Sequence, residues 1–229
     1  MEISGMNFQI SIFGVIIIGF YSMVVLAVVA LPLSKLLEAF HWKWIVIAPP
    51  VAALLALPWA EEAWIAWHFN EACKEAGVHV IRRVEVPGFY DSTMRSGYEL
   101  IRDHGYLFME QDADTSRKIE HIEQTGDRWK VELLDHPTAR YHYKYAYQPT
   151  PHRYEEPIGW KLERMETQVV DSGTGEVIGR NTLIKRRSSV AEKLWIGLLG
   201  SDLVMCPDPE KGPRQPPFPE AVLLPVTKK

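Results

Sequence analysis

Apolar residues are massed at the start of this chain and then give way to short alternating runs. From Ile3 to Ser34 there is no charged side chain over 32 positions, and from Trp44 to Ala60 a second charge-free run covers 17. A helix needs about 20 apolar residues to cross a hydrocarbon core of about 30 Å. The first run therefore predicts a transmembrane helix. The second is at the short end of the spanning range and is completed by placing Glu61 and Glu62 at the interface. Five of the eight tryptophans, Trp42, Trp44, Trp59, Trp64 and Trp67, stand at the two ends of this second run. Tryptophan collects at membrane interfaces because its ring is apolar while its N–H needs a partner. Pro49 and Pro50 predict a kink in the second helix. A cleaved signal peptide is the competing reading of the first run, with Val28-Val29-Ala30 as a small-residue site. Against it, "MEISGMNFQ" carries an acid and no base where a positive flank belongs.

After residue 68 the pattern changes. The second helix runs on through "EEAWIAWHFNEACKEAG" to Gly77 as its stop, and "VHVIRRVEVPGFY" reads as a strand ending at Pro87-Gly88. Ser96 and Glu99 form a capping box for a short helix, and "YLFMEQ" returns as a strand. "KIEHIEQ", "RWKVELL" and "RYHYKYAYQ", separated by turn residues at Thr125-Gly126-Asp127 and "DHPTA", predict an antiparallel meander. Two long alternating segments around Asp171-Ser172-Gly173-Thr174-Gly175 predict a hairpin, and Ser189 with Glu192 opens another helix. The last 23 residues hold seven of the sixteen prolines, which predicts an extended tail. The expected architecture is α+β: a two-helix transmembrane hairpin (1–68), a mainly antiparallel sheet domain with a few short helices (69–206), and a Pro-rich tail (207–229).

Charge orients this arrangement. The loop between the apolar runs, "SKLLEAFHWKW", carries Lys35 and Lys43, whereas the N-terminal flank has Glu2 and no basic side chain. Lysine and arginine in short loops favour the cytoplasmic side. The loop is then inside, and both the N-terminus and the large domain are outside, which for a bacterial inner membrane means the periplasm. With Glu2, Glu38, Glu61, Glu62, Lys35 and Lys43 set aside, residues 69 to 229 hold 25 acidic and 23 basic side chains. A near-neutral domain without a basic stripe argues against nucleic acid as a partner. Membrane lipid and another membrane or envelope protein are the expected partners, and no cofactor or metal is called for.

The two cysteines, Cys73 and Cys206, lie near the two sequence ends of the soluble domain. In an oxidising compartment they are expected to pair. The loop closed is over 130 residues long, and in the chain-entropy picture such a bridge is worth about 5 kcal/mol at most. In a reducing cytoplasm they would be two separate buried thiols.

The membrane exit, "CKEAGVHVIRRVEVPGFY", the "DSGTGEVIG" hairpin and a second cysteine followed by Pro207 resemble a group of uncharacterised proteobacterial envelope proteins of similar size. The resemblance covers most of the soluble domain. It implies an envelope location and this fold, and brings no activity with it.

Candidate chemistry is sparse. The chain has no HExxH, GxSxG, P-loop, CxxC or GxGxxG signature. "EHIEQ" sets His121 and Glu123 on one strand face, and with His136 these make a small polar set suited to acid–base work. His121 and Glu123 alone are too few for a metal, and an exposed strand face is the plainer account. Asp112 and Asp114 in "QDADTSR" offer two carboxylates where a hard cation wants six to eight oxygens. In "RYHYKYAY" the period of two places Tyr141, Tyr143, Tyr145 and Tyr147 on one face and Arg140, His142 and Lys144 on the other. A tyrosine row is either a stacking platform for a glycan or partner peptide, or the cover of a sheet core. Two functions are consistent with all this: a non-catalytic membrane scaffold or assembly protein of an envelope complex, and an envelope hydrolase acting on a lipid or cell-wall substrate.

Overall fold

The computed structural model describes residues 12–93, 97–113, 118–126, 128–148, 153–188, 204–207 and 218–226. The chain divides into two compact units, one of Met1–Lys74, Pro157–Glu163 and Lys185–Met205, the other of Glu75–Glu156, Arg164–Ile184 and Cys206–Lys229.

The first unit is led by helices. α1 (Ile12–Val25) passes through one π-helical turn, Leu26–Ala30, into α2 (Leu31–Leu36). Together Gly14–Leu36 make one helix of 23 residues, long and apolar enough to cross a membrane. α3 (Lys43–Cys73) is bent by 53° between Lys43–Leu57 and Trp59–Cys73, so the expected kink at Pro49-Pro50 is found at Pro58 instead. A proline cannot donate to the carbonyl four residues earlier, which here is Leu54. The Tyr21 hydroxyl, from α1, donates to that Leu54 carbonyl at 2.6 Å. Farther along α3, Glu62 and Arg186 form a buried ion pair, and the Trp160 indole N–H donates to Glu61 at 3.1 Å. α3 ends at Cys73, earlier than Gly77. That glycine has φ 116° and begins the first strand.

The second unit is built on a sheet. The strands among the described residues are β1 (Gly77–Val80), β2 (Val84–Val86), β3 (Gly88–Asp91), β4 (Phe108–Asp112), β5 (Ile119–Thr125), β6 (Arg128–Leu134), β7 (Tyr141–Tyr145), β8 (Glu155–Gly159), β9 (Leu162–Asp171), β10 (Val177–Arg186), β11 (Val204–Cys206) and β12 (Leu223–Pro225); most of β8 and β11, the start of β9 and the end of β10 fall in the first unit. The main sheet runs β1-β10-β9-β7-β3-β4-β5-β6, with β8 beside β9 and β11 beside β10. β12 and β2 form a separate parallel pair. α+β with a large, mostly antiparallel sheet is therefore the observed class, and the β9–β10 hairpin stands where the alternation put it.

The meander is only partly right. β4, β5 and β6 are antiparallel neighbours, but β3 pairs in parallel with both β4 and β7. The single strand expected over "VHVIRRVEVPGFY" is broken into three. The N–H groups of Ile81 and Arg82 both turn to the Ile178 carbonyl, and Pro87 has no N–H to continue a ladder. α4 (Gly97–His104) connects β3 to β4 as a short crossover. All four residues of β3 are buried, as befits a strand with neighbours on both sides. Gly88 is obligatory there, because a Cβ would sit 2.1 Å from the Phe108 carbonyl oxygen.

One face of this sheet carries the core: Phe89, Met109, Ile122, Tyr143 and Val169, covered by Leu100 and Ile101 of α4, by Tyr106, and by Phe218, Val222 and Leu223. The last three belong to the stretch expected to lie extended over the surface. Residues 218–226 instead turn, pack into the core and add β12, because "FPEAVLLP" contains enough apolar surface to be worth burying. The predicted capping residue Ser96, Asp114, and the helix from Ser189 lie outside the described residues.

Candidate functional site

Two faces of the same strands have to be weighed. On the core face, β7 presents Tyr141, Tyr143 and Tyr145 at a period of two, as expected, while Tyr147 lies beyond the strand end. The row is not an open platform. Tyr143 is 6% exposed and meets Phe218 edge-on with ring centroids 5.5 Å apart, and Tyr141 packs against the core. Tyr145 stacks on Tyr154 at 4.1 Å, and burial raises its hydroxyl pKa above the usual value.

Where cover by α4 and residues 218–223 stops, the same face opens into a pocket of about 190 Å³ lined by Thr93, Tyr143, Tyr145, Met165, Thr167, Asn181 and Leu183. Met165 and Thr167 come from β9, Asn181 and Leu183 from β10, and Thr93 from the turn after β3. That turn is fixed by Asp91, which accepts hydrogen bonds from the Thr93 N–H (2.7 Å) and Oγ1–H (2.6 Å). The lining carries hydroxyls and an amide but no charged side chain. Thr167 is 7% exposed, and its Oγ1 has no hydrogen-bond partner among the described residues. A buried hydroxyl without a partner costs on the order of 1–3 kcal/mol, which a ligand able to reach it recovers.

On the opposite face, cross-strand register aligns His142, Tyr90, Glu110, His121 and Glu132 in one row. Glu110, with 0% exposure, is the anchor. It accepts from the Thr138 N–H (2.9 Å) and hydroxyl, from the Ala139 N–H (3.0 Å), and lies 3.1 Å from His121 Nδ1. The reason is topological. β6 and β7 point the same way, since two antiparallel and two parallel pairings separate them, and they are four places apart in the sheet. Residues 135–140 must therefore cross about 19 Å over the sheet with a reach of at most about 24 Å. They form a nearly extended strap rather than the turn expected at "DHPTA", and Glu110 ties it down.

His121 is thus paired with Glu110 and stacked on Phe108 at 4.8 Å, whereas Glu123 faces Phe108 and Lys130 across its neighbouring strands. His136 is exposed on the strap. The three residues singled out for acid–base work are not brought together as a set. Asp112 accepts from the Tyr90 hydroxyl at 2.6 Å. Burial, then this bond, pushes the Tyr90 pKa well up.

A different pair is assembled at the end of the row. Ser92 Oγ lies 2.9 Å from His142 Nε2, and the imidazole stacks on Tyr90 at 4.3 Å. Burial first, and the charge of Lys144 second, lower the His142 pKa to about 4, so the ring is neutral at pH 7. Ser92 and His142 are 50 residues apart, and only the parallel β3–β7 pairing joins them, so no local spacing announced the contact. Among the described residues there is no group of three or more His, Cys, Asp or Glu placed to hold a metal ion.

Both cysteines are disulfide-bonded, and the chain has two, so Cys73 is joined to Cys206. Comparison with protein-family models, curated proteins and solved structures returns no match to this chain.

Proposed function

We propose that the chain is a membrane-anchored, non-catalytic scaffold or assembly protein of a bacterial envelope complex. In this reading Gly14–Leu36 and the bent α3 are its two spanning helices, and the sheet domain lies in the periplasm. The domain holds a protein partner by an uncharged side chain inserted into the Tyr143–Tyr145 pocket. The observation that carries the reading is the pocket, whose lining offers rings, hydroxyls and an amide but no charge, with Thr167, whose hydroxyl has no partner among the described residues, in its wall. Such a lining suits a neutral group with one or two polar atoms. The disulfide fits an oxidising compartment. The resemblance of "CKEAG", "DSGTGEVIG" and the Cys206-Pro207 step to proteobacterial envelope proteins points the same way.

Two fusions and one cross-link test it. A phosphatase reporter after Lys229 is expected to be active and one near Phe40 inactive, and the reverse pattern defeats the topology. A photo-reactive residue at Leu183 is expected to give one discrete heavier adduct in cells, lost when Met165→Trp fills the pocket. Adducts unaffected by Met165→Trp would count against the pocket.

The Ser92–His142 contact favours a second reading, an envelope hydrolase with Ser92 as nucleophile and His142 as its base; burial, which lowers the His142 pKa to about 4, makes it a weak one. A fluorophosphonate probe discriminates. Labelling of Ser92 that is lost in Ser92→Ala establishes the hydrolase, and the scaffold reading predicts no label.

A further inference from the structure

β6 ends the main sheet and has a neighbour, β5, on one side only among the described strands. Such an edge presents unpaired N–H and C=O groups to solvent and is a template for another strand. Proteins commonly blunt edges with charge, and β6 does carry Arg128, Lys130 and Glu132. Its alternate side chains are apolar, however: Trp129, Val131 and Leu133 are 40%, 45% and 58% exposed. Trp129 is steadied by Tyr98, with ring centroids 5.0 Å apart, while the apolar row continues the face of Ile122, whose cross-strand partner is Val131. A long, apolar edge on the core side of a sheet is surface awaiting a partner.

The order of the charges says which partner. If a second β6 is laid antiparallel with Val131 on the two-fold axis, position i faces position 262 − i of the other copy. Lys130 then faces Glu132 and Glu132 faces Lys130, while Trp129 faces Leu133 in both halves. Opposite charges and an aromatic–aliphatic pair are the combinations that stabilise directly opposed positions, and all seven residues of β6 take part. Lys130 and Glu132 already lie together on one side of their own strand, 2.7 Å apart. Pairing adds a second partner for each without burying either alone.

We infer that β6 is a homodimerisation edge: two copies of this chain join by antiparallel β6–β6 pairing centred on Val131, with reciprocal Lys130–Glu132 contacts setting the register. The consequence is one continuous sheet shared by two chains. The inference stands on the edge strand alone and does not depend on the pocket or on the orientation in the membrane.

The test uses the full chain in detergent micelles with its native disulfide in place. In the paired register the two Val131 Cα atoms are about 4.5–5.5 Å apart, within the range a disulfide spans. The two Arg128 Cα atoms are about 20 Å apart. Under mild oxidation Val131→Cys is expected to give a covalent dimer at least ten times faster than Arg128→Cys. Lys130→Glu, which opposes like charges twice, is expected to weaken the dimer about ten-fold. Lys130→Glu combined with Glu132→Lys is expected to restore it. The charge-reversal pair is read by sedimentation in chains without an added cysteine, so a misfolded cysteine variant does not decide the matter. Equal cross-linking at 128 and 131, cross-linking of Val131→Cys to a different protein, a monomer by sedimentation, or no rescue by the double reversal each overturns the dimer.

Discussion

β6 and β7 are written in the same code and meet opposite fates. In "RWKVELL" and "YHYKY" a large apolar or aromatic residue alternates with a charged or polar one, so both predict a strand with one greasy face. In β7, placed between β3 and β9, that face is core: Tyr143 is 6% exposed. In β6, at the edge, the equivalent face is open, and Leu133 is 58% exposed. Alternation specifies which side chains share a face. What covers the face is decided by strand order, and strand order depends on partners distant in sequence.

The contrast can be broken most forcefully at Tyr143. Truncation to alanine removes a ring from between the sheet and Phe218 and is expected to cost about 3–5 kcal/mol in denaturant unfolding. A loss under about 1 kcal/mol would mean that β7 is no more buried than β6. Glu110→Ala comes next. It leaves the N–H groups of Thr138 and Ala139 without their acceptor and frees the strap that brings the chain to β7, at an expected cost of about 2–4 kcal/mol. Hydrogen exchange should quicken at residues 135–140 before the rest of the sheet. Uniform exchange there would argue that the strap is held by something else.

A pH series sharpens the comparison on the other face of β7. His142 titrates at about 4 in the fold against its usual 6.5. Between those values the unfolded chain binds a proton that the folded chain refuses, so stability is greatest above about pH 6.5 and declines toward pH 4. His142→Asn is expected to flatten that slope in a series of melting temperatures from pH 7 to 4. An unchanged slope would show that His142 is not the group responsible. The smallest effect belongs to β6. Leu133→Ser is expected to leave unfolding of the monomer within about 0.5 kcal/mol of the parent, since its side chain is already in solvent.

How far the sequence could be read follows from the same physics. The apolar helix, α4, β4, β5, β6 and the β9–β10 hairpin were legible because each is dictated by local period or turn chemistry: the 3.6 and 2.0 repeats, Gly126 at φ 62°, and the Asp171 turn. The strap was not legible. "DHPTA" has turn residues, and only the insertion of β3 and β4 between the ends of the meander makes it a crossing segment. The role of residues 218–226 was hidden by prolines, which say that a segment is irregular and nothing about whether it is buried. At the site, the tyrosine face was legible and its cover was not. Glu110 and the Ser92–His142 pair were invisible because each joins residues that only sheet pairing brings together. Glu123 shares a strand face with His121 by spacing, while the carboxylate that His121 meets, Glu110, is one strand away.

The proposal that an apolar helix holds the disulfide-bonded sheet domain outside the cytoplasm meets its sharpest test in thiol labelling. Cells making the full chain are quenched in acid, and the protein is denatured and alkylated with a mass-tagged maleimide before and after reduction. The account predicts no tag on Cys73 or Cys206 until the reductant is added and two tags afterwards. Two tags without reductant, in protein taken from intact cells, would contradict it.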